Sequence, residues 1–203
     1  MTNIDHVTLE VTDAAAAERF YRDAFGLEGQ VRFREGASPS SGFRGYTLSL
    51  TVAQPGDAEA FIASALNAGA RTVVPPKKSL WGFGGIVEAP DGALWNIATS
   101  AKKDARPAER AFEHLVLLIG VEDVAASKRL YVERGLKVNK SIGSFVDFDM
   151  GDGIGFGLYK RRALAKSAGV PEEGSGSHRI LIGGRGPAFT DPDGFVWEET
   201  REA

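Results

Sequence analysis

The sequence predicts an α+β protein that contains two copies of a unit of roughly 100 residues. Three observations carry this. A strand-like stretch with an acidic residue beside a histidine occurs twice, and each time it feeds a helix that closes on Gly-Leu. A Pro-Asp-Gly turn followed by a Trp-bearing strand also occurs twice. Glycine is in excess, at 25 of 203 residues against 9 prolines, and supplies the tight turns that sheets need.

Taken in order, Ile4-Asp5-His6-Val7-Thr8-Leu9-Glu10-Val11 alternates apolar and polar residues as a half-buried strand does. Asp13 is placed to cap a helix over Ala14 to Ala24, with Gly26 as its left-handed stop. Thr47 to Val52 begins a new strand, and Pro75-Pro76-Lys77-Lys78 reads as a solvated turn. Trp81-Gly82-Phe83-Gly84-Gly85 reads either as the wall of a ligand cleft or as a strand edge packed into the core. Pro90-Asp91-Gly92 then turns the chain into a strand with Trp95 on one face and Asn96 on the other.

Residues 100–107 are polar and read as a linker. Phe112 to Leu118 repeats the first strand, with His114 lying 108 residues after His6. The helix that follows is read over Val124 to Glu133, stopping at Gly135. Tyr21 and Tyr131, midway along the two helices, read as helix-on-sheet packing residues. Gly151-Asp152-Gly153 reads as a hairpin turn, His178 as a loop residue, and Pro192-Asp193-Gly194 as the turn before Trp197 and Glu198.

Composition excludes several classes. Lys plus Arg number 24 against 27 Asp plus Glu, a net charge of −3, which argues against a nucleic-acid partner. The absence of cysteine removes disulfides, thiolate nucleophiles, zinc fingers and iron–sulfur clusters. No apolar run reaches membrane-spanning length and the start lacks secretory-signal features, so the expectation is a cytoplasmic protein without a membrane partner. No Gly-x-Ser-x-Gly elbow is present.

A strand carrying His, a helix with Phe20-Tyr21 or Leu130-Tyr131 ending Gly-Leu, and hairpins closing at Pro-Asp-Gly before Trp95-Asn96 or Trp197-Glu198, all in this order twice, resembles the vicinal oxygen chelate superfamily of glyoxalases, bleomycin resistance proteins and extradiol dioxygenases. The resemblance covers most of the chain and is similar to the glyoxalase-like branch. It implies tandem βαβββ modules whose curved mixed sheets enclose a cleft. It divides the chain into a glyoxalase-like half at 1–101, a linker at 102–107 and a second half at 108–203. The complete modules are the inner two, about 44–101 and 108–165, and the terminal pieces are expected to pair into a third, split module with His6 and Glu198 on one sheet.

Members of this superfamily that use a metal take His from a first strand and Glu from a last strand. The resemblance therefore implies His6, His114 and Glu198 as ligands of a divalent metal ion, while Asn96 and Thr47 depart from the ligand pattern. Trp81 and Phe83 are the candidate ligand-binding residues. The leading reading is a protein that binds a small organic molecule in an aromatic-lined cleft with no complete metal site, hence no cofactor. A metal-dependent lyase, isomerase or dioxygenase acting on vicinal oxygens is the alternative, and a dimerising scaffold the third. A homodimer is expected because this fold commonly pairs modules between chains.

Overall fold

The structure, a computed structural model, describes residues 3–36, 38–80 and 82–200. β1 (Ile4–Val11) turns Val7, Leu9 and Val11 to the core and His6, Thr8 and Glu10 to the other face, following the alternation in its sequence. The Asp13 carboxylate accepts the Ala16 N–H and starts α1 (Ala14–Phe25), which stops where Gly26 turns left-handed at φ 66°. β2 (Val31–Glu35) returns parallel to β1, and the short β3 (Ser40–Gly42) follows.

Two complete βαβββ units come next. The first is β4 (Tyr46–Thr51), α2 (Pro55–Asn67), β5 (Arg71–Ser79), β6 (Gly82–Glu88) and β7 (Leu94–Thr99). The second is β8 (His114–Val121), α3 (Val124–Glu133), β9 (Lys137–Ile142), β10 (Phe145–Asp149) and β11 (Gly155–Lys160). After them run α4 (Arg161–Ala168), β12 (Gly174–Gly176), β13 (Ile180–Gly184), β14 (Phe189–Thr190) and β15 (Val196–Glu199).

The two complete units lie edge to edge in one eight-stranded sheet, ordered β5-β6-β7-β4-β8-β11-β10-β9. They join where β4 and β8 run antiparallel, with Tyr46 opposite Ile119 and Thr51 opposite His114. The terminal segments share a second, five-stranded sheet, ordered β14-β15-β13-β1-β2. β3 and β12 pair as a small ribbon.

One apolar cluster takes a face of each sheet together with α1, α2 and α3, and includes Leu48, Phe61, Trp95, Leu117, Tyr131, Phe156 and Trp197. A smaller one lies under α4, where Leu164, Ala165 and Ala168 pack on Phe43, Ile86 and Leu94. Ile86 pairs with Asn96, one residue on from Trp95, so α4 covers the face of the eight-stranded sheet that points away from the main core.

Polar ties cross between the sheets. Tyr21 on α1 donates its hydroxyl to Asp91 at 2.8 Å and accepts the Trp95 indole N–H at 3.3 Å. Tyr131 on α3 does the same with Asp191, at 2.6 Å, and Trp197, at 3.2 Å. The segment between the two complete units is held at the start of α2. The Gln54 side chain bonds the backbone of Ala105 and Arg106, and the fully buried Asp57 pairs with Arg106 at 2.9 Å and accepts the Glu109 N–H.

Lys77 and Lys78 are not in a turn. They stand in β5 opposite Gly84 and Phe83. The pairing register breaks between Val74 and Lys77, at Pro75-Pro76, and an edge strand tolerates residues that have no N–H to give. Among the described residues no helix is long and apolar enough to cross a membrane.

Candidate functional site

Alternation in β1 puts His6 on the face of the five-stranded sheet that points away from the core. Across the ladder His6 faces Gly183 on β13, and Gly183 faces Glu198 on β15, so the three form one row. Two ladder steps set the His6 and Glu198 backbones about 10 Å apart. Gly183 is required in the middle: a Cβ there would collide with the His6 ring.

Alternation in β2 brings Arg32 and Arg34 to the same face. Arg32 Nη1 lies 3.4 Å from His6 Nε2, and Arg34 reaches Glu10 at 3.0 Å and Glu198 at 3.4 Å. A guanidinium can only donate, so Nε2 accepts and the imidazole proton sits on Nδ1. That Nδ1 is buried with no partner, in a residue only 7% exposed. Burial, and secondarily the Arg32 charge, hold the His6 pKa below its ordinary value, against smaller opposing effects of Asp5 and Glu198. His6 is therefore neutral near pH 7.

On the outward face of the eight-stranded sheet, Thr47, Ser49 and Thr51 of β4 stand beside Asn96 of β7 and His114 of β8. Thr47 and Ser49 are buried, and the Ser49 hydroxyl has no partner. α4 fills one part of this face, and next to it a cavity of about 210 Å³ is lined by Lys77, Ser79, Asn96, Thr99 and Ser167. Phe83 borders the cavity but belongs to the main core, at 9% exposure, and Trp81 lies outside the described residues. His114 is exposed at the start of β8. The helix caps Asp13 and Asp123 lie 110 residues apart, so His114 stands two residues before the place equivalent to His6, and Val116 occupies that place.

The third histidine is committed elsewhere. His178 sets Nδ1 against the Arg44 carbonyl and Nε2 against the Asp193 carbonyl, and its ring stacks on Phe195 at 3.9 Å.

No protein-family model and no curated protein sequence matches the chain. Solved structures do. Glyoxalase I from Zea mays aligns at a TM-score of 0.62 over 96% of this chain and 90% of its own, with 13% identity. A dioxygenase candidate from Bacillus subtilis subsp. subtilis str. 168 aligns at 0.56 over 95% and 72%, with 15% identity. The chain has the glyoxalase fold. At these identities the likeness is one of fold, and chemistry must be argued from the side chains.

The sequence resemblance implies His6, His114 and Glu198 as ligands of a metal ion. The donor set here does not fit one. The His6 Nε2 lone pair faces Arg32, a Glu198 oxygen faces Arg34, and His114 belongs to the other sheet. Among the described residues no three His, Asp or Glu side chains group as a metal site. Arg32, Arg34 and Gly183, which surround His6 and Glu198, were not singled out by sequence reasoning, although the alternation Val31-Arg32-Phe33-Arg34 already sets both arginines on one face.

Proposed function

We propose that the protein binds a small organic molecule without a metal ion, on the outward face of its eight-stranded sheet beside α4. The observation that carries this reading is the engagement of His6 by Arg32 and of Glu198 by Arg34, which sets cations where a metal would need free donors. The cavity at Lys77, Ser79 and Asn96 joins a few polar groups to apolar walls at Val74 and Ile86, the composition of a small-ligand pocket.

The test has two parts. Protein purified without a His tag is expected to carry no stoichiometric first-row metal; such an ion, lost in Glu198→Ala, would overturn the metal-free reading. A thermal-shift screen of small organic compounds is expected to return ligands whose shift is lost in Asn96→Ala. A screen with no hit would remove the binding reading and leave a scaffold.

A further inference from the structure

We propose a second ligand site, distinct from the one above, in the cavity of about 360 Å³ beneath the β3–β12 ribbon, and that it takes a small monocarboxylate with an apolar body. The cavity lies where the two halves of the chain meet. Phe43 and Leu94 from the first half and Val170 and Pro171 from the second wall it, and Arg44 and Tyr46 also line it. It shares no lining residue with the cavity at Asn96.

Arg44 is built into place. Its Nη2 donates to the Asp91 carbonyl at 2.6 Å, and the guanidinium lies against Gly92, where a Cβ would sit 2.7 Å from Nη2. Only glycine leaves that room, and Gly92 also holds φ 86°. Among the described residues Arg44 forms no ion pair with a carboxylate; the half-buried guanidinium bonds the Asp91 carbonyl and lies close to the Tyr46 side chain. Beside it the Tyr46 hydroxyl is buried, at 2% residue exposure, with no partner at hydrogen-bond geometry. Burial keeps that phenol protonated, hence a donor.

Two donors, one of them charged, stand together with no carboxylate hydrogen-bonded to either. A carboxylate satisfies both, and a planar guanidinium matches it well. Glu173 on the lining disfavours a second negative charge, because the other acid there, Glu88, is already paired with Arg71. The apolar walls and the volume suit a body of aromatic-ring size.

Calorimetric titration with benzoate, and with benzamide as its neutral counterpart, tests this. Benzoate is expected to bind the wild type, with benzamide at least about tenfold weaker. Arg44→Gln is expected to raise the benzoate Kd about tenfold or more. Tyr46→Phe deletes a hydroxyl without a partner, so it is expected to keep the melting temperature while weakening benzoate several-fold. If Arg44→Gln fails to fold, Tyr46→Phe carries the test alone. Asn96→Ala is expected to leave benzoate binding unchanged, which separates this cavity from the other. Equal affinity for benzoate and benzamide, indifference to Tyr46→Phe, or no benzoate binding up to about 10 mM overturns the proposal.

Discussion

Tyr131 donates its hydroxyl to the Asp191 carboxylate at 2.6 Å, deep in the protein. Tyr21 meets Asp91 in the same way, yet the two acids come from different places in their turns. Asp191 N–H bonds the Phe195 carbonyl as Ala89 N–H bonds that of Ala93, so the residue equivalent to Asp191 is Ala89 rather than Asp91. The two halves reach one contact by two routes. Asp191 is 4% exposed and burial pushes its pKa up, whereas Asp91 is half-buried. Tyr131→Phe, which strips a buried carboxylate of a donor, is expected to cost about 1–3 kcal/mol, and Tyr21→Phe less. Urea unfolding of the two variants checks the order, and a larger loss from Tyr21→Phe would contradict it.

The contact of His6 with Gly183 can be measured by a double-mutant cycle. Gly183→Ala pushes a methyl group into the imidazole and is expected to destabilise by about 1–3 kcal/mol. In a His6→Ala background the same change is expected to cost little, because the ring is gone. A cost independent of residue 6 would place the strain in the β13 backbone instead.

His6 also fixes a pH dependence. Its folded pKa is held below 6.5 by burial first and Arg32 second, so the unfolded chain binds this proton more readily. The stability tied to the neutral imidazole is therefore full above pH 6.5 and is lost as pH falls from there through the folded value. Urea midpoints between pH 5 and 8 are expected to fall on acidification more steeply for wild type than for His6→Gln. Parallel curves would remove the effect.

Asp57 is a sharper case, as a fully buried carboxylate whose Arg106 partner is 37% exposed. Asp57→Ala lets the arginine return to water but leaves the Glu109 N–H and a Gln54 amide hydrogen without this acceptor. The expected loss is about 2–4 kcal/mol, with faster proteolysis within residues 100–113. An unchanged cleavage rate would show that the other contacts, from Gln54, Asp104 and Arg110, hold this segment without Asp57.

Local features were legible in the sequence. The cap at Asp13 and the stops at Gly26 and Gly135 depend on one turn of chain each, and they stand where side-chain chemistry puts them. The split sheet was legible too, through the complementary shortness of the terminal segments. His114 was matched to His6 by the strand motif, whereas the helix caps set the true register two residues away. Arg32 and Arg34 could be given a face but not neighbours, since their meeting with His6 and Glu198 depends on strand order. α4 had a stop at Gly169 and an apolar triplet, Leu164, Ala165 and Ala168, but no side-chain cap at its start to announce it.

The five-stranded sheet imposes a timetable on synthesis. The eight-stranded sheet uses residues 46 to 160 without interruption and can pair as the chain emerges. β1 and β2 are made before that sheet, yet β1 must wait for Ile180 to Gly184 to supply its antiparallel neighbour, and β15 docks on that strand in turn. Until then Val7, Leu9 and Val11 lie beside an open edge, exposed to wrong pairing. A strand that precedes the whole eight-stranded sheet in the sequence is thus among the last to find its place.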